Sequence, residues 1–246
     1  MIQIGVKSDI SRLTRWLGSA EMEQVPYASA LALTRTAQAA QARVKEELPK
    51  VFDRPTALTL RSVRITMTRK GGPLAVNVYL QDEAAKGTPP VRYLFAEVEG
   101  GERNETRFER ALRFAGVLPA GMSVVPGKGA PLDRFGNVRN GVATSVLSQI
   151  QANAHSGVNE NETERSRKRA GKSRARYFVG RPGGGRLPLG IYQRLAHGVK
   201  PIFIFVSRRP TYHQRLPFYA LVQAVVDAKF EGIFRSAMDQ ALRTAK

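Results

Sequence analysis

The sequence predicts an α+β fold: a small antiparallel sheet packed by two long helices, with a long loop-rich central insertion. Three observations lead there. Apolar residues recur every three or four positions in two long stretches, near residues 26–49 and 218–245. Strict alternation of apolar and polar residues marks two strands between residues 63 and 80. From Gly87 to about Arg176, proline and glycine become frequent and the regular patterns shorten. This divides the chain into residues 1–86, the helices and hairpin of a core; 87–176, an insertion or arm; and 177–246, strands and a long helix that complete the core.

Met1 to Val6 alternate weakly and suit a short edge strand. Ser8 or Asp9 is a good N-cap for a short helix through Ile10, Leu13 and Leu17, closed by Gly18. A stronger helix starts at Pro26, a residue suited to the first turn, and presents Ala30, Leu33, Ala37, Ala40, Val44 and Leu48 as one stripe. Pro49 is expected to end it after roughly 35 Å. Val63, Ile65 and Met67 alternate with Arg64, Thr66 and Thr68; Gly71-Gly72-Pro73 reads as a turn, and Leu74, Val76, Val78 and Leu80 resume the alternation. One face of this hairpin should lie on the long helix.

Glu105 to Ala115 reads as a helix with Phe108, Leu112 and Ala115 on one side and Gly116 at its stop. Leu118 to Asn140 is irregular, with PGKGAP and DRFGN as turn signals, and Val142 to Ala152 suits a second short helix. Asn153 to Arg176 has too few apolar residues for a core and reads as a mobile loop or extended arm. Tyr177-Phe178-Val179 and Ile202 to Val206 are β-rich, the second apolar enough for a central strand. Phe218 to Ala245 closes the chain as a helix with Leu221, Val222, Val225, Val226, Phe230, Ile233, Phe234 and Ala237 on a wide apolar face.

Charge narrows the function classes. With 39 Lys and Arg against 20 Asp and Glu, the net charge is +19 and the isoelectric point near 10.9. A compact chain with that excess repels itself unless a polyanion or an acidic partner lies close. Cysteine is absent, which removes disulfides, thiolate metal sites and cysteine nucleophiles. MIQIGVKSDISR lacks the unbroken apolar stretch of a secretory signal, and no apolar run approaches the roughly 20 residues of a membrane span. A soluble chain, made in a cytoplasm, is the expectation.

The densest charge lies at Arg165, Arg167, Lys168, Arg169, Lys172, Arg174 and Arg176, preceded by Glu160, Glu162 and Glu164. Such a run cannot fold on itself, so it is either solvated or held against phosphates or an acidic protein surface. It contains no aromatic residue for stacking on bases, so contact with DNA would run through the backbone and respond strongly to salt.

Catalytic patterns fail one by one. Gly171-Lys172-Ser173 has Ser166 where a phosphate loop needs its first glycine. Gly183-Gly184-Gly185 reads as a turn. His155, His197 and His213 stand far apart, and Asp53, Asp82, Asp133 and Asp227 form no carboxylate pair. Asp133 suits a turn. Asp227-Ala228-Lys229 carries a nuclease-like spacing but falls in an amphipathic helix, and no G-x-S-x-G elbow occurs. The residues thus lead to the expectation of no catalytic set, no cofactor and no metal.

Several phrases, in order and over nearly the whole chain, resemble the minor tail protein Z family of lambda-like phages, the tail completion proteins. They are VPYASALALTRTA, VFDRPTALTLRSVRI, YLFAEVEGGERNETRFERALRFAGVLPAG, VPGKGAPLDRFGNV with VLSQI, and YFVG with LPLGIYQR and PIFIFVSRRPTY. The resemblance implies a non-enzymatic virion protein at the joint between tail tube and head connector, in a homo-hexameric ring. Its partners would be the tail terminator, tail tube, connector or tape-measure protein, or the DNA in the channel. It links Asp53, Arg54, Pro55, Gly100, Gly101, Arg103, Asp133, Gly136 and Asn137 with family structure, though turn formation accounts for each of them as well. Asn104-Glu105-Thr106 departs from the pattern, where a lysine is more usual. A non-sequence-specific nucleic-acid-binding protein is the alternative that charge alone supports.

Overall fold

The computed structural model describes residues 3–6, 24–68, 73–84, 87–150 and 176–244. In chain order the first elements are β1 (Gln3–Val6), α1 (Val25–Val51), α2 (Ala57–Leu60), β2 (Val63–Ile65), β3 (Val76–Leu80), α3 (Pro90–Glu99) and β4 (Gly101–Glu102). There follow α4 (Arg107–Phe114), β5 (Ser123–Pro126), α5 (Asn140–Gln149), β6 (Arg176–Gly180), β7 (Gly190–Arg194), β8 (Val199–Val206), β9 (Thr211–Tyr212) and α6 (Phe218–Thr244). The fold is α+β, with small antiparallel sheets and the two long helices α1 and α6 packed together. Among the described residues no helix is long and apolar enough to cross a membrane.

The chain forms two compact units: Met1–Gly101 with Tyr212–Lys246, and Glu102–Thr211. In the first, α1 opens with Pro26 in its first turn and buries Ala28, Ala32, Leu33, Ala37, Ala40, Val44 and Leu48. Alanine at four of these seven positions keeps the stripe thin, so α6 can approach closely with Phe218, Val222, Phe230, Phe234, Ala237 and Met238. Arg35 Nη2 of α1 donates to Gln240 Oε1 of α6 at 2.8 Å. Pro49 does not end α1: the helix runs on to Val51, and Phe52 N still donates to Leu48 O at 3.0 Å. A proline in the last turn removes a single hydrogen bond, which the end of a packed helix tolerates.

The sheet of this unit has the order β1-β3-β2, all antiparallel, with Val63 opposite Leu80 and Gln3 opposite Tyr79. Val63, Val76, Val78 and Leu80 are buried in the core that α1 lines, so one face of the hairpin lies on the long helix as its alternation requires. The turn Gly71-Gly72 and the short helix expected after Ser8 lie outside the described residues. Residues 90–99 fall in the stretch expected to be loop-rich, yet α3 forms there. Pro90 starts it, Leu94 and Val98 bury at i, i+4, and Gly100 stops it at φ 75°. Its Glu97 is buried and bidentate to Arg215, at 2.7 and 2.8 Å, while its carbonyl accepts from Arg215 N and Leu216 N.

The second unit departs from the expected division. Residues 177–211 do not complete the core around α6; their strands join β5 in a four-stranded antiparallel sheet of order β5-β8-β7-β6. The boundaries accordingly fall at 101/102 and 211/212, not at 86/87 and 176/177. The cause is pairing. Val124 faces Phe205 and Ile191 faces Phe203, and these side chains share a core with Leu112, Leu118 and Val146. The register shifts between Ile191 and Tyr192, leaving Ile202 as the extra residue of a bulge, so that Ile202 and Phe203 are both buried in one core. β8 is central, as its apolar run predicts. The region read as loop-rich thus supplies α3, α4, β5 and α5 as well as turns.

Candidate polyanion and partner interface

Charge is unequally divided. Residues 102–211 hold 20 Lys and Arg against 7 Asp and Glu, net +13, whereas the first unit holds 19 against 13, net +6. Of the seven basic positions singled out by sequence, Arg165, Arg167, Lys168, Arg169, Lys172 and Arg174 lie outside the described residues. Arg176 is described. It opens β6, an edge strand of the second unit's sheet, and stands directly opposite Arg194 of β7.

Directly opposed residues of an antiparallel pair hold their Cβ atoms roughly 5 Å apart, and like charges there oppose pairing. Arg194 is steadied from below: its guanidinium carbon is 5.2 Å from the centre of the Phe178 ring, which stacks at 6.0 Å on Tyr192. Tyr192 is fully buried, its hydroxyl donates to Pro188 O at 2.6 Å, and burial raises its pKa above the ordinary tyrosine value. Among the described residues, no carboxylate is bonded to Arg176 or Arg194. An anion laid across this pair would therefore relieve a repulsion and gain two charge-assisted bonds. Arg181 and Arg186 bracket the β6–β7 connection, where Gly183, Gly184 and Gly185 take positive φ of 71°, 64° and 86°. The outer edge of β6 is partly closed, because Tyr177 N donates to Gln149 Oε1 at 3.0 Å.

The opposed arginines suit phosphate or carboxylate binding. Period-two spacing of Arg176 with Phe178, and of Tyr192 with Arg194, was the available signal for this cluster; the pairing of the two strands was not visible in either segment alone. Among the described residues no group of three or more His, Asp and Glu stands close enough to hold a metal ion. His155 and Gly171-Lys172-Ser173 lie outside the described residues. Asp227 lies on α6 and accepts from Gln223 at 2.8 Å.

The positions that the resemblance singled out act as turns and anchors. Asp53 pairs with Arg54 at 2.9 Å just before Pro55, with Arg54 at φ 49°. Gly100 and Gly101, at φ 75° and 93°, turn α3 into β4. Asp133 Oδ1 accepts from Phe135 N and Asn137 N, both at 2.9 Å, and Gly136 takes φ 83°, closing the expected turn. Arg103 is bidentate to buried Glu109, at 3.0 and 2.6 Å. Asn104-Glu105-Thr106, the departure from the pattern, makes the start of α4: Thr106 caps it, and Glu105 bonds Arg113 at 2.8 Å. No protein-family model, curated protein or solved structure matches the chain.

Proposed function

We propose that this chain is a structural virion protein of a tailed phage, a tail-completion subunit at the head–tail junction that works by ring assembly and by gripping neighbouring proteins or channel DNA. One observation carries the physical side of the reading: residues 102–211 concentrate a net +13, with Arg176 and Arg194 opposed on neighbouring strands and no carboxylate bonded to them among the described residues. The ordered resemblance of the quoted phrases to tail completion proteins supports the virion context. In this reading the basic run from Arg165 to Arg176 lines the channel or clamps an adjacent ring, and Arg194 extends its cationic surface onto the sheet.

Neutralising Arg165, Arg167, Lys168, Arg169, Lys172, Arg174 and Arg176 together should leave the purified subunit folded by circular dichroism while heads and tails accumulate unjoined in electron micrographs. Normal infectious yield from that mutant would overturn the reading. The same charge favours a second reading, a free nucleic-acid-binding protein without a place in the particle. A salt-sensitive gel shift by protein that is absent from purified virions would select it.

A further inference from the structure

The outer face of α4 is used by none of the contacts above. At 3.6 residues per turn, Phe108, Glu109 and Leu112 share the arc that meets the second unit's core; Glu109 and Leu112 are buried and Phe108 packs beside them. Arg107, Arg110 and Phe114 occupy the opposite arc at i, i+3 and i+7, and all three are exposed. Phe114 is 82% exposed, against 64% for Met67, the next most exposed large apolar side chain among the described residues. Half-buried Ala111 and Val117 and exposed Ala115 extend its apolar margin. Arg113 is spent on the fold, donating to Glu105, Pro119 O and Met122 O. Arg110 meets Glu105 only at 3.9 Å, and Arg107 bonds no carboxylate among the described residues.

We infer that this face docks an acidic protein segment, with Phe114 seated in an apolar pocket of the partner and Arg107 and Arg110 meeting carboxylates on its rim. An exposed aromatic with flanking arginines is the composition that dominates binding energy at protein interfaces. Its i, i+3, i+7 spacing is the one by which a helix enters a groove. Charge selects the partner. A second copy of this unit would bring its own net +13 against these arginines. A polynucleotide would supply anions, but strands are gripped on successive stacked rings, and Phe114 is the single aromatic of the exposed arc. The inference does not depend on the virion reading.

The test uses the full chain and a fluorescein-labelled helical peptide of leucine and glutamate, with polyglutamate and oligothymidylate as comparison probes, read by anisotropy. The wild-type chain should bind the leucine–glutamate peptide, and Phe114→Ala should weaken that binding about tenfold or more. Polyglutamate, which lacks an apolar face, should be indifferent to Phe114→Ala. The double variant Arg107→Glu/Arg110→Glu should weaken both acidic peptides and flatten their salt dependence. Circular dichroism of the variants should match the wild type, because all three side chains are exposed. Absence of peptide binding by the wild type, or equal binding by Phe114→Ala, would overturn the inference. Loss of oligothymidylate binding in Phe114→Ala, with peptide binding unchanged, would assign the face to nucleic acid instead.

Discussion

Glu109 shows how one side chain can organise a neighbourhood. Its carboxylate accepts from Arg103 Nη1 and Nη2, from Thr106 N and Oγ1, and from Val124 N at 2.7 Å. It therefore ties the segment before α4, the cap of α4 and the start of β5 to one point. Burial by itself would raise its pKa, but the Arg103 guanidinium and the Val124 and Thr106 donors overcome this and hold it down at about 2, from an ordinary 4.5. A carboxyl with a depressed folded pKa contributes stability that is complete above its unfolded value and fades as pH falls from about 4.5 to about 2. Glu109→Gln should therefore cost on the order of 2–4 kcal/mol at neutral pH, since it also strands Arg103. Urea titrations at several pH values should show the gap between wild type and variant closing as the pH drops through that window. Thr106 and Glu109 spell the T-x-x-E capping pattern, a signal in the sequence that starting the helix at Glu105 passes over. The reach to Val124 was not legible there, because fifteen residues separate the partners and only the sheet brings them together.

At the scale of elements, periodicity located what it could and stayed silent on pairing. The stripes of α1 and α6 and the alternation of β2 and β3 were legible because each element buries one face against the same core. The run Ile202–Val206 announced a strand, but an apolar run carries no address, and its partners β5 and β7 were set by complementary side chains and a bulge. α3 was hidden by its neighbours, since prolines at its start and glycines at its end imitate the texture of a loop. Gly190 lies opposite Ile204 where β7 pairs with β8, and a Cβ there would stand 2.4 Å from Phe203 O and 3.1 Å from Ile204 Cα. Both atoms are backbone of β8, which cannot yield as a side-chain end would, so Gly190→Ala should destabilise the chain by about 2 kcal/mol or more. Gly232, in the middle of α6, has nothing within 4 Å of a built Cβ. Gly232→Ala should instead stabilise by about 0.5–1 kcal/mol, from helix propensity alone. Opposite shifts of the urea midpoint for these two glycines would confirm that crowding, and not glycine itself, distinguishes them.

For the molecule as a whole, the sequence stated how much charge there is but not where it collects. The net +19 is a composition; that +13 of it belongs to a unit bounded by 102 and 211 depends on which strands pair. Arg176 was singled out as the end of a basic run, whereas Arg194 gains meaning only from being opposite it. Replacing both by Thr, a residue suited to strands, should leave the sheet intact and lower the slope of log affinity for duplex DNA against log salt by about one for each arginine. Equal slopes for wild type and variant in a salt series would remove these arginines from the proposed interface.

The segments Gly101–Glu102 and Thr211–Tyr212, at which the chain leaves and re-enters the first unit, pair as neighbouring strands. Exit and return are therefore side by side, and a Cβ on Gly100 would come within 3.5 Å of Tyr212 O. Closing a loop depends on how far apart its ends are and only weakly on what lies between. The α1–α6 scaffold can thus carry inserts of very different size through a single doorway while it keeps the same core.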